Sequence, residues 1–213
     1  MALMGTIIWL LSLAVLSSSK GADETLPQNC SLNTQLLENL KVAVECGDKL
    51  QAAWSPQQTA EMLLSMRNVA DVLHKQQLKE CHGTEPQKCH EPEVPENGGL
   101  ACVTVADRRF CKPLCSHGYD FGFLRISRVY EECSKQTQFQ WQTQYIGGNK
   151  LAVCNVAPFQ VAGVKTAYFP KDQDCLTTKS NIQLYNSTIA DLTTELQNEG
   201  IQGELQYDCL VCG

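Results

Sequence analysis

The chain reads as an α+β protein: a small disulfide-bridged all-β module attached to a helical hairpin and a C-terminal helix. Three observations predict this. Twelve cysteines follow a secretory-type leader, and an even thiol count in an exported chain forms a disulfide framework. Apolar residues recur at helical spacing near both ends. Between them the periodicity shortens to β-like runs with turn residues between. The resulting division is a signal peptide over 1–21, a helical hairpin region over 22–88, a disulfide-rich β module over 89–154, and a β strand plus helix over 155–213 that packs back on the rest.

The leader is the apolar run Ile7 to Leu16, followed by small residues through Ala22. Ten residues are too few to span a bilayer and sit where a signal core belongs. Cleavage after Ser19 or Gly21 leaves small residues at the key positions. Later segments are not apolar enough to span a membrane, so the expectation is release, without membrane insertion. The whole chain carries a net charge of −6, and losing Lys20 with the leader makes the mature surface more acidic by one charge. An acidic surface argues against nucleic acid, heparin and anionic membranes as partners.

In the hairpin region, Leu37, Leu40 and Val44 share one face, with Leu36 and Ala43 beside them. Ser31 is placed to cap the first helix and Gly47 to stop it. Ser55 and Pro56 open the second helix, where proline needs no amide partner. Met62, Met66, Val69 and Leu73 then line one face at steps of 4, 3 and 4. Such a stripe is read as core, with a partner-binding or coiled-coil face as the alternative. At the far end, Ile182, Tyr185, Ile189, Leu192 and Leu196 repeat the pattern between Ser180 as cap and Gly200 as stop. One helix cannot bury such a seam alone. It packs either on the N-terminal hairpin, as a three-helix unit, or on the β zone.

The central zone holds turns at Glu96–Gly99 and Gly147–Asn149. Strand-like runs appear at Val103–Phe110, at Gly118–Phe123 with its aromatics two apart, at Leu151–Cys154 and at Thr166–Pro170. The order Cys89, Pro95-x-Asn97-Gly98, Cys115 before Gly118-Tyr119, Tyr130-x-x-Cys133, Trp141 and Cys154 resembles a sushi (complement control protein) module. The resemblance covers residues 89–154. It implies bridges Cys89–Cys133 and Cys115–Cys154 and a buried Trp141 beside a bridge. The additional pair Cys102 and Cys111 is assigned to each other. Cys30, Cys46, Cys81, Cys175, Cys209 and Cys212 remain, with fifteen possible pairings among them.

Catalytic motifs are missing from the chain: it has no Gly-x-Ser-x-Gly, no phosphate-binding glycine loop and no His-Glu-x-x-His. No cofactor is expected. Cys81-His82 and Cys89-His90 contain zinc-ligand types, but an exported chain oxidises such thiols. Cys209-Leu-Val-Cys212 lacks the following helix that would activate a redox pair, so it reads as structural. Asn186-Ser187-Thr188 is a glycosylation sequon, and Asn29-Cys30-Ser31 a weaker one. Arg108 and Arg109, near Lys112, Arg125 and Arg128, form a basic group in an acidic chain. It reads as a solvated loop tip or, more specifically, as a contact for an acidic partner. These features together predict a secreted, non-enzymatic binding protein recognising an extracellular protein or glycan. The alternative is a helical cytokine-like or carrier protein with its functional surface on the helices.

Overall fold

The computed structural model describes residues 34–47, 54–143 and 148–213. The leader run Ile7–Leu16, Ser31 and Cys30 lie outside them. The chain divides into two compact units, Met1–Glu61 and Met62–Gly213. In the first, α1 spans Thr34–Glu45, and α2 (Pro56–Gln77) begins and continues into the second. The start of α2 is a reciprocal capping box. Ser55 Oγ accepts from the Gln58 amide at 3.2 Å, and the Ser55 amide donates to Gln58 Oε1 at 2.9 Å. Pro56 takes the first helical position, as its missing amide allows.

The apolar stripe of α2 is not core. Met62, Met66, Val69 and Leu73 are 42–55% exposed, and Leu63, Leu64 and Val72 are exposed too. On α1, Leu36, Leu37, Val42 and Val44 are likewise exposed. The last turn of α2 is fastened through Gln77. Buried Gln77 donates through Nε2 to the Cys212 carbonyl and accepts at Oε1 from the Cys212 amide at 3.0 Å.

The core of the second unit is built on a four-stranded antiparallel sheet. Its strands are β1 (Gly98–Val105), β2 (Arg108–Cys115), β4 (Glu131–Cys133) and β6 (Leu205–Cys212), in the order β4-β2-β1-β6. A second sheet pairs β3 (Tyr119–Phe121) with β5 (Cys154–Val156). The β1–β2 hairpin turns through Ala106 and Asp107, both at positive φ, the conformation a two-residue hairpin turn requires. Gly98 and Gly99, expected to belong to a turn, instead open β1. They must be glycine, because a Cβ at Gly98 would meet the Leu114 carbonyl oxygen at 2.2 Å and one at Gly99 the Cys175 sulfur at 2.6 Å. Thr166–Pro170, expected as a strand, forms a single 3-10 turn (Lys165–Ala167) and one isolated bridge between Tyr168 and Cys115.

Side-chain alternation gives the main sheet two covered faces. On one face Ala101, Val103, Val105, Phe110, Leu114 and Leu210 pack under Ile189, Leu192 and Leu196. Those three belong to α4 (Ile182–Asn198), which follows the short α3 (Cys175–Ser180). On the other face Leu100, Cys102, Cys111, Cys209 and Val211 meet Trp141, Leu151, Cys81, Cys89 and Cys133. The C-terminal helix therefore docks on the β zone, which corrects the three-helix expectation. Both of its ends are capped. Asn181, rather than Ser180, accepts from the Gln183 and Leu184 amides at 3.0 and 3.3 Å. At the C-terminus the Gly200 amide donates to Gln197 and the Ile201 amide to Leu196, the two bonds of a Schellman motif, with Gly200 at φ +80°.

Candidate functional site

The sulfur framework determines what else can act. Among the described residues five disulfides form: Cys89–Cys133, Cys115–Cys154, Cys102–Cys111, Cys81–Cys209 and Cys175–Cys212. The first three are the pairs assigned from the sequence. The last two tie β6, which lies outside residues 89–154, to the segment before β1 and to α3. Residues 89–154 are thus hydrogen-bonded and cross-linked to their C-terminal flank. Cys46 has no disulfide partner among the described residues. Trp141 is buried among Cys89, Cys102, Cys111 and Cys133, and its indole Nε1 donates to the His90 carbonyl at 2.7 Å. The sulfurs of Cys81, Cys102 and Cys209 lie within 4.8 Å of one another, but each is in a disulfide and offers no thiolate to a metal.

The basic group is not a solvated loop tip. Ala106 and Asp107 form the tip, and Arg108 and Arg109 are already in β2. Arg108 makes a bidentate pair with Glu132, at 2.9 Å from Nε and 2.8 Å from Nη2. Arg109 is 1% exposed and donates through Nη2 to the Cys81 carbonyl at 2.9 Å and to Glu91 at 3.1 Å. Lys112, equally buried, reaches across to α4 and donates to both Glu195 oxygens at 2.7 Å. Burial pushes the Lys112 ammonium below its ordinary range, against the opposing pull of Glu195. Arg125 and Arg128 both pair with the buried Glu131. Of the proposed contact residues, Arg109 is a buried ion-pair partner, whereas Arg108 is half-buried in its pair with Glu132. Residue counting missed this because Glu132, Glu91 and Glu195 lie 24, 18 and 83 residues from Arg108, Arg109 and Lys112.

The small sheet presents a different surface. Asp120, buried in β3, organises it. Its carboxylate accepts from the Val161 amide at 2.8 Å, from the Ala162 amide and from the Tyr168 hydroxyl. Burial pushes this carboxyl up, but the hydrogen bonds from Tyr168 and the amides outweigh it and hold it below the usual carboxylate range. Gln160 Nε2 donates to the Ser116 and Tyr119 carbonyls and pins the same loop. The Arg125 amide donates to the Ala162 carbonyl at 2.6 Å, and Arg125 bridges Gly163 in parallel. Arg125 turns its side chain inward to Glu131 and the Leu151 carbonyl. Its neighbours Leu124 and Ile126 point out, beside Val161 on the paired segment. Phe123, Leu124, Ile126, Val156, Phe159 and Val161 are 55–83% exposed. The exposed apolar rim thus sits beside a hydrogen-bonded anchor at Asp120. The sequence signal was present in Phe123-Leu124-x-Ile126, but periodicity does not tell which side of a two-residue repeat faces solvent.

Asn186 is exposed on α4, where a glycan could be attached; Asn29 lies outside the described residues. No helix among the described residues is long and apolar enough to cross a membrane. Comparison of the chain with protein-family models, curated proteins and solved structures returns no match.

Proposed function

We propose that this chain is a secreted, non-enzymatic binding protein that recognises an extracellular protein or glycan through the loops of its disulfide-rich half. The observation carrying this reading is the apolar rim of Phe123, Leu124, Ile126, Phe159 and Val161 over the Asp120 anchor. Apolar side chains held out by fixed backbone cost solubility and gain contact area without an ordering penalty. Five disulfides fit an extracellular setting.

The test compares wild type with Phe123→Ser/Leu124→Ser and with Val161→Ser as baits in extracellular fluid, with and without prior deglycosylation of the fluid. Direct titration of the captured species follows. Expected is at least a tenfold loss of affinity in both variants with unchanged thermal melting. Capture lost on deglycosylation identifies a glycan, and capture retained identifies a protein. Equal affinity of wild type and both variants would reject this surface.

The second reading places the functional surface on the helices, as in a cytokine-like or carrier protein. The exposed stripe of α2 is the observation that favours it. A partner lost on Met66→Lys and retained on Phe123→Ser/Leu124→Ser would select it.

A further inference from the structure

The sulfur framework itself contains a reactive arrangement. Three cysteines stand side by side across the main sheet. Cys111 on β2 and Cys209 on β6 both lie directly opposite Cys102 on β1. Residues opposed in this way point to one face, here the face that carries Trp141 and Leu151. Cys102 is bonded to Cys111, and Cys209 to Cys81. Although they belong to two different bridges, the sulfurs of Cys81, Cys102 and Cys209 lie within 4.8 Å of one another. Directly opposed residues of antiparallel strands are about 4.5–5.5 Å apart at Cα, inside the range a disulfide spans. Cys102 therefore has two partners within reach of the same backbone. The other bridged cysteines of the strands lack this choice. Cys115, Cys133, Cys154 and Cys212 face Gly98, Arg109, Phe121 and Gly99.

We infer that Cys81, Cys209, Cys102 and Cys111 form a thiol–disulfide exchange site that takes its electrons from an external dithiol. This rests on neither reading of the binding surface. Of the four, Cys209 is the most exposed, at 6%, and it sits on an edge strand. Reduction enters there. The dithiol becomes a disulfide, and the two electrons and two protons it gives up leave Cys81 and Cys209 as thiols. Cys209 then loses its proton, and its sulfur attacks Cys102 Sγ. The Cys102–Cys111 bond breaks, and Cys111 leaves with the bonding pair and takes up a proton. The second step conserves the number of disulfides and moves one from the β1–β2 hairpin to the β1–β6 pair.

The consequence is local. Cys81–Cys209 and Cys89–Cys133 both fasten the stretch between α2 and β1. After exchange β6 stays tied to the sheet through Cys102. The end of α2 is then held by non-covalent bonds, Gln77 to Cys212 and Tyr207 to the Glu80 carbonyl among them. Reduction is thereby converted into loosening of that helix end.

The test removes the partner that Cys209 must lose. In the full-length Cys81→Ser chain, Cys209 is a thiol beside the Cys102–Cys111 bridge, and exchange needs no reductant. The folded protein is held at neutral pH, trapped in acid, alkylated by a reagent active at low pH, digested with pepsin without reduction and mapped. Peptides linked Cys102–Cys209 should appear beside Cys102–Cys111 in at least about one molecule in ten, with label divided between Cys111 and Cys209. Cys175→Ser is the control. Its Cys212 lies on the opposite face of the sheet, and the four other bridges should map unchanged. A Cys81→Ser chain with Cys102–Cys111 alone and label confined to Cys209 would overturn the proposal. Scrambling of equal extent in the control would overturn it too, by marking opened chains rather than a built site. Wild type under limiting dithiothreitol, trapped in the same way, is the second arm and decides the matter if Cys81→Ser does not fold. Species with two labels, one of them on Cys81, should carry the other on Cys111 in at least about one case in ten. A second label found exclusively on Cys209 refutes the exchange. In the exchanged species the amides of residues 77–83 should exchange faster with solvent, and unchanged protection there would refute the loosening of α2. None of these outcomes bears on the Phe123–Leu124 surface.

Discussion

Single side chains decide much of this protein's stability because several charges are buried in pairs. Lys112 donates to both oxygens of Glu195, and Thr166 also donates to that carboxylate. Glu195→Gln would leave a buried ammonium without its counter-charge and should cost about 3–5 kcal/mol in chemical denaturation. Trp141→Ala should cost about 3–5 kcal/mol, as for other large buried aromatics, and the loss of the Nε1 bond leaves the His90 carbonyl to find water. Asp120 supplies a pH dependence. Its folded carboxyl titrates below its unfolded value, so its contribution is present above the unfolded range near 3.9 and is lost as pH falls through the lower folded value. Melting temperature should therefore fall on acidification below about pH 4. Asp120→Asn should be destabilised at neutral pH and show a shallower acid slope. An identical slope in the variant would assign the acid sensitivity to other carboxylates.

At the scale of elements, β6 is the strand with the most at stake. It is an edge strand, yet Cys209 and Cys212 bond it to Cys81 and Cys175, and it supplies Leu210 to one face of the sheet and Val211 to the other. Replacing Cys175 and Cys212 together by Ser should lower stability by about 2–5 kcal/mol, read by denaturant unfolding. Protection of the 98–105 amides from exchange should drop in the same variant, because β1 loses a fixed neighbour on one side. The caps of α4 are smaller levers. Asn181→Ala should cost about 1 kcal/mol, whereas Ser180→Ala should be nearly silent, since Ser180 bonds only to the Thr177 carbonyl.

For the whole molecule, the thiol count makes a direct check possible. Alkylation without reduction, followed by peptide mapping, should leave the ten bridged cysteines unlabelled. The even count, with the proposed secretion, extends that expectation to Cys30 and Cys46. Label on either one would mark a free thiol outside the framework and would be the first sign of redox chemistry in this protein.

Several elements are legible in the sequence because their causes are local. The Ser55–Pro56 start of α2, the Gly200 stop and the seam of Ile189, Leu192 and Leu196 depend on neighbours within a few residues, and each is where the spacing puts it. The α+β class follows from the switch of periodicity along the chain. The pairs Cys89–Cys133, Cys102–Cys111 and Cys115–Cys154 rest on a family resemblance and a count of thiols rather than on energetics. Tertiary structure alone decided the remainder. Which surface the C-terminal seam covers depends on the sheet's own apolar face, a product of β6 returning beside β1 from about a hundred residues further along the chain. Whether Arg108 and Arg109 meet solvent depends on Glu132 and Glu91 arriving from other segments. The same stripe arithmetic describes α4 and α2, yet one is buried and the other exposed, because periodicity encodes that a helix has an apolar side and not what stands opposite it.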